Sequence, residues 1–110
     1  MRVKNRKSLI ESYEVLEDGF HPFLIRDEWQ VAQLNYMQDQ NIENINKIDV
    51  HYKTDEVFIL LEGRAVLIAA TFKDGTPIFE LELMKQNITY NIPKNMWHNI
   101  AMDVGSKVLL

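Results

Sequence analysis

From about residue 30 onward, apolar positions recur with a period of two, the signature of strands that bury one face. Ala32, Leu34 and Tyr36 alternate with Val31, Gln33 and Asn35, and Ile88, Tyr90 and Ile92 alternate with Thr89 and Asn91. The sharpest local signal is Lys73-Asp74-Gly75-Thr76, set between apolar stretches at 65–72 and 77–84. An Asp-Gly pair supplies the positive φ angles of a tight turn, so these stretches predict a hairpin. On its second strand Phe79, Leu81 and Leu83 share one face, and Glu80 and Glu82 are assigned to solvent. Residues 57–61 (VFILL) are apolar on both faces, which predicts a strand under a second layer or in a subunit contact. Further strands are expected at 46–52, 97–102 and 107–110.

The first 29 residues carry a weaker pattern. Leu9, Tyr13 and Leu16 stand at helical spacing, with Ser8 as a candidate N-cap and Glu11 three places on. The same residues also fit an extended arm closed by Glu17-Asp18-Gly19. Many short strands with turn residues between them predict an all-β sandwich or barrel. At 110 residues the chain is expected to be one domain, with its core in 30–110 and an arm or strands in 1–29. It stops inside the apolar run Val108-Leu109-Leu110, which suggests that the native gene product continues for a few residues.

Composition narrows the function. Sixteen acids against twelve bases give a formal charge of −4, without the basic surplus that phosphate binding needs. Arg2, Lys4, Arg6 and Lys7 do cluster; they are read as a solvated start rather than an arm for an anionic partner. No cysteine is present, so disulfide and thiolate chemistry are out. Only Leu9 and Ile10 precede Glu11 after the basic start, too few for a signal peptide, and no apolar run reaches membrane-helix length. The expectation is a soluble cytoplasmic protein with neither nucleic acid nor membrane as partner.

The chemistry-bearing residues sit at fixed spacing. His51-x4-Glu56-x6-Gly63 is followed, after the hairpin, by Pro93-x-Asn95-x2-His98. This resembles the two-motif signature of the cupin superfamily over roughly residues 43–102. His51 falls on the second His of the first motif, Glu56 and Gly63 are in register, and Asp49 replaces the first His. In the second motif Pro93 and His98 fit, Asn87 and Asn95 hold the two Gly positions, and Met102 stands where Asn is usual. Glu43 holds the opening Gly position. Asn tolerates the left-handed backbone of a turn glycine, so these two replacements are mild.

The resemblance implies a cupin-type jelly-roll barrel in which three His and one Glu hold a divalent ion such as iron, manganese, zinc or nickel. Carried over here, the set is His51, Glu56 and His98, with Asp49 as a fourth ligand. Residues 49 and 51 would share a strand face, Glu56 would open the next strand with Phe58 and Leu60 on its face, and His98 would arrive after the Pro93 turn. Two imidazoles and a carboxylate suit several divalent metals, and with open positions they suit ferrous iron. Without metal they form an acid/base set.

Phe58, Tyr90, Trp97 and Met102 are candidate pocket-lining residues, each equally suited to a core. Trp29 is a second candidate for stacking on a ligand. His21 reads as a loop residue, Asp55 as a turn or surface residue, and 37–43 as a solvated loop or a flank of the mouth. Together these give a small cupin that binds a small polar metabolite, a sugar or an organic acid, beside a metal. If it is an enzyme, the resemblance implies oxygen insertion, isomerisation or lyase chemistry. The alternative is a metal-free, non-catalytic sensing or binding module. Small cupins commonly pair, and the two-sided strand at 57–61 needs a cover, so a homodimer is expected.

Overall fold

The period-two stretches at 31–36 and 88–92 become strands in the computed structural model. The structure describes residues 2–4 by their backbone and residues 9–110 in full. The strands are β1 (Arg2–Lys4), β2 (Ser12–Glu14), β3 (Gly19–Ile25), β4 (Gln30–Asn35), β5 (Glu56–Glu62), β6 (Ala65–Lys73), β7 (Thr76–Leu83), β8 (Thr89–Ile92), β9 (Trp97–Met102) and β10 (Lys107–Leu109). They form a five-stranded sheet in the order β3-β4-β10-β5-β8, a three-stranded sheet β7-β6-β9, and a small pair β1-β2. Every pairing in them is antiparallel.

The two larger sheets enclose the core. Leu34, Phe58, Leu60 and Val108 project from one sheet, Leu67, Ile100 and Met102 from the other, and Met84 and Ile92 join them. This is an all-β architecture of two antiparallel sheets. Among the described residues no helix is long and apolar enough to cross a membrane.

The turns follow their residue chemistry. Asp74 and Gly75 both take positive φ, 53° and 77°, and close the β6–β7 hairpin with Lys73 opposite Thr76. Asn87 and Asn95, which hold motif glycine positions, sit at φ 69° and 71°. Gly63 has a further reason to be glycine. At φ 84°, a Cβ there would overlap the Ser106 hydroxyl and lie 2.7 Å from its Cα. Ser106 is fully buried and bridges the turn, accepting from the Arg64 N–H at 2.9 Å and donating to the Arg64 carbonyl at 2.8 Å.

Four expectations are corrected. No helix spans 8–16: residues 12–14 form β2, and Leu9 lies fully exposed, so its helical spacing marks no buried face. Ser8, with Arg6 and Lys7 of the basic cluster, lies outside the described residues. Residues 46–52 form no strand, only an isolated bridge in which Asp49 and His98 exchange two backbone bonds of 2.8 Å. Beside it the Asn99 side chain donates to the Lys47 carbonyl at 2.8 Å, a side-chain bond in place of a ladder bond. His21 lies within β3 rather than in a loop, its Nε2 2.7 Å from the Asp18 carbonyl oxygen. The segment 37–44 holds two short 3-10 turns, Gln38–Gln40 and Ile42–Asn44, the second capped by the Asn41 side chain.

The fourth correction concerns β7. Phe79, Leu81 and Leu83 lie opposite Ala70, Ile68 and Val66 of β6, which in turn oppose Trp97, Asn99 and Ala101 of β9. Directly opposed residues share a face, and the alternate residues Leu67, Ile100 and Met102 point to the core. The apolar stripe of β7 is therefore on the outside, with Leu81 66% exposed, and Glu80 and Glu82 are exposed on the other face. In β5 only Phe58 and Leu60 are buried, and Val57 and Leu61 remain exposed.

Candidate metal centre

The three candidate ligands come from three separate segments that the backbone ties together. Glu56 opens β5, directly opposite Ile92 of β8, on the face shared with Phe58 and Leu60. His98 is the second residue of β9, buried on the core-facing side with Ile100 and Met102. His51 sits in the loop before β5, where its carbonyl accepts the Asn95 N–H at 2.7 Å. One residue before Glu56, Asp55 clamps the Pro93 turn: its carboxylate accepts the Lys94 N–H at 2.9 Å and the Asn91 side-chain amide at 3.1 Å. The Lys94 N–H bond first, then Asn91, holds the Asp55 carboxyl below its ordinary value. Asp55 is thus a surface residue that locks one motif against the other.

The three side chains then meet. One Glu56 oxygen, Oε1, lies 3.0 Å from His98 Nε2 and 3.3 Å from His51 Nε2. A donor atom from each residue falls within 4.8 Å of the others. The two imidazole rings are 5.3 Å apart, and Phe58 presses on His98 edge-on at 6.0 Å. Exposure is graded from 6% for the His98 side chain through 23% for Glu56 to 50% for His51, so the group opens outward through His51.

The His98 ring is oriented from behind. Its Nδ1 lies 2.9 Å from the Met96 carbonyl, which accepts only from a protonated Nδ1 and so leaves Nε2 facing Glu56 and His51. Such backbone anchoring of the remote nitrogen is how metal-binding imidazoles are usually held. A neutral ring in that tautomer would set a lone pair against the carboxylate, so the arrangement calls for a cation: an extra proton or a metal ion. Burial, the largest single influence, lowers the His98 pKa. The Glu56 bond, the Met96 carbonyl and the charges of Glu56 and Asp49 together outweigh it, and the net shift is upward. Two imidazole nitrogens and a carboxylate around one point fit a divalent metal.

Asp49 stands outside this trio. It is exposed and opposes His98 through the backbone bridge, and it acts on that ring through its charge rather than by converging with the other three. The pocket-lining candidates separate as well. Phe58 belongs to the core, where its ring meets His98 edge-on, and Tyr90, opposite it on β8, is half-buried with its hydroxyl accepting the Lys85 N–H at 2.9 Å. Met102 lies four residues along β9 from His98, about 13 Å at strand rise, and belongs to the core. Trp97 alternates with His98, faces the outside and stacks edge-on against Phe72 at 6.1 Å.

A cavity of about 510 Å3 adjoins the trio, bringing His51 and Glu56 together with Arg26, Trp29 and Gln30 of the β3–β4 hairpin and with Leu110. The Arg26 guanidinium sits 5.8 Å from the centre of the Trp29 ring. Arg26 had no motif to mark it, and an exposed tryptophan was the one sequence signal for this wall.

No family model matches the chain, and no curated protein matches it. Solved structures do. Hydroxypropylphosphonic acid epoxidase from S. wedmorenis superposes with a TM-score of 0.50 at 13% identity, over 73% of this chain and 39% of that one. A structure described as Fe(II)-HppE with the alternative substrate (S)-1-HPP gives a TM-score of 0.51 at 13% identity, over 73% and 38%. The chain thus spans well under half the length of the solved proteins it matches. This likeness shows the fold: a cupin-type arrangement of two antiparallel sheets.

Proposed function

We propose that this protein is a metal-dependent cupin that holds a divalent ion, ferrous iron foremost, on His51, Glu56 and His98. The same reading has it bind a small polar metabolite, a sugar or an organic acid, in the adjoining cavity. The observation that carries it is the single Glu56 oxygen faced by two imidazole nitrogens, one of them anchored from behind by a backbone carbonyl. Iron is put first among the divalent ions because a solved structure of the same fold, matched over 73% of this chain and 38% of its own, is described as an Fe(II) protein.

When bound, such an ion would supply Lewis-acid polarisation of a substrate oxygen or activation of dioxygen, which suits oxygen insertion, isomerisation or lyase chemistry. The protein's own part is separable. His98 and Phe58 close the inner side against water, and Met96 fixes the imidazole tautomer. His51 and Glu56 face the cavity, where Trp29 offers a flat surface and Arg26 and Gln30 offer hydrogen-bond donors to hydroxyl or carboxylate oxygens.

The test is anaerobic titration of untagged protein with Fe(II), followed by elemental analysis and by oxygen uptake with a panel of sugars and hydroxy acids. The expected result is near one iron per chain, and His51→Ala lowers affinity more than about 100-fold, beyond the usual cost of losing a supporting residue. Protein that binds no divalent metal, yet gains thermal stability from panel compounds, would replace this proposal with a metal-free binding module.

A further inference from the structure

The loop that carries His51 is held sparingly. Residues 50–54 belong to no strand. Among the described residues a single hydrogen bond reaches their backbone, from the Asn95 N–H to the His51 carbonyl at 2.7 Å. Glu56 and His98 are fixed by strand pairing instead, Glu56 opposite Ile92 of β8 and His98 opposite Ala69 of β6. Between the Asp49 bridge and β5, the position of His51 therefore rests on the turn 93–96 that joins β8 to β9. That turn is closed by the Met96 N–H on the Pro93 carbonyl at 3.2 Å.

Three successive residues of the turn reach the three ligand segments. The Lys94 N–H donates at 2.9 Å to the carboxylate of Asp55, the residue before Glu56 and 39 positions away in sequence. The Asn95 N–H holds His51, and the Met96 carbonyl takes the Nδ1–H of His98 at 2.9 Å. Peptide units are planar and stiff, so adjoining ones fix these three directions together. The Asn91 side-chain amide, donating to the other Asp55 oxygen at 3.1 Å, pins the same carboxylate to β8.

We infer that the Pro93–Met96 turn positions the His51, Glu56 and His98 side chains relative to one another, with Asp55 and Asn95 as its positioning residues. Neither of these two belongs to the trio. Asp55 acts through a charge-assisted bond to a backbone N–H, which is stronger than a neutral one. Asn95 acts through its own backbone, at φ 71°, where asparagine is among the few residues that sit without large strain. Rotating residue 95 out of that conformation would swing its N–H away from His51 and the next carbonyl away from His98 in one movement.

This role rests on the metal reading above for what the trio holds, whereas the tether itself needs no ion. Asp55, Pro93, Lys94 and Asn95 are all exposed, and none of them contributes to the core. Loosening the tether therefore disturbs ligand spacing far more than it disturbs packing. A metal site tolerates ligand displacements of only about 0.2 Å. Residues that orient ligands in this way are worth about 10–100-fold in metal affinity.

Anaerobic titration with Co(II), read by its ligand-field absorption, tests the role alongside amide hydrogen exchange of the metal-free protein. Asp55→Ala is expected to weaken Co(II) binding about 10–100-fold. Asn95→Val, which forces a β-branched residue to positive φ, is expected to weaken it about as much. Asn95→Gly takes that φ freely and keeps the wild-type affinity within about threefold. Ser106→Ala loses its buried bonds to Arg64 beyond the far end of β5 and also keeps the affinity, so lowered stability alone does not mimic the effect. In the metal-free protein Asp55→Ala speeds exchange of the Asn95 amide, whose bond is to His51, at least about tenfold. Wild-type affinity in both Asp55→Ala and Asn95→Val would overturn the positioning role and leave the metal centre standing. So would a loss in Asn95→Gly as large as in Asn95→Val. A wild-type chain that takes no Co(II) would remove the metal reading instead, and faster Asn95 exchange in Asp55→Ala would then still uphold the tether. Unchanged exchange would overturn the tether in either case. Should Asn95→Val fail to fold, Asn95→Ala is held to the same outcomes.

Discussion

The inner end of the sandwich and the outer face of its three-stranded sheet depart from hydrophobic-in, polar-out patterning in opposite senses. At the first, two histidines and a glutamate lie inside or half inside, each with a partner among the other two. At the second, leucines and phenylalanines stand in water with nothing over them. Along β4 local pattern and burial agree, with Ala32 and Leu34 inside. Sites where they disagree are where a fold spends stability on something other than folding. The metal ion proposed above would reconcile the polar group.

If that contrast is sound, equal truncations on the two sides should have very unequal effects. Phe58→Ala, at a position 3% exposed under His98, is expected to cost about 3–5 kcal/mol in urea unfolding. Next comes Gly63→Ala, whose added methyl meets the Ser106 backbone at positive φ, with an expected loss of about 2–4 kcal/mol. By contrast Phe79→Ala, 55% exposed, should move the stability of the dilute single chain by no more than about 0.5 kcal/mol. A loss there approaching that of Phe58→Ala would mean the outer face is part of the monomer core, and the comparison would fail.

The smallest effect concerns Asp55, and its direction follows from its carboxyl being held below the ordinary value of 3.8. A depressed folded-state pKa contributes stability that is present above the unfolded value and lost as pH falls through the folded one. The stability difference between wild type and Asp55→Asn should therefore be fully developed at pH 6 and shrink steadily below about pH 4. A difference unchanged from pH 6 to pH 2 would show that the Lys94 and Asn91 bonds do not depend on the charge.

Much of this was legible in the chain, and the failures have physical reasons. The Asp74-Gly75 turn announces itself because few residues accept positive φ. Asn87 and Asn95 behave as the glycines whose motif positions they hold. The meeting of His51, Glu56 and His98 was readable through motif spacing, whereas the cavity wall from Arg26 to Gln30 was not, because nothing local links a hairpin tip to residues 51–56. The facing of β7 was misjudged for a definite reason. Alternation says that two faces differ but not which is inside, and β6, the strand that decides it, is apolar on both faces from Ala65 to Ala70. In 46–52, Ile48, Val50 and Tyr52 alternate as a strand would, yet the Asn99 side chain takes a bond that a ladder would have used.

The central claim is that a metal ion belongs between His51, Glu56 and His98. Anomalous diffraction at the iron edge, from crystals grown anaerobically with Fe(II), tests it most directly. The account predicts one strong peak roughly 2.0–2.2 Å from both Nε2 atoms and a Glu56 oxygen, distances typical of divalent metal–ligand bonds. A map with no peak there, the Glu56 oxygen still resting against both imidazoles, would contradict it.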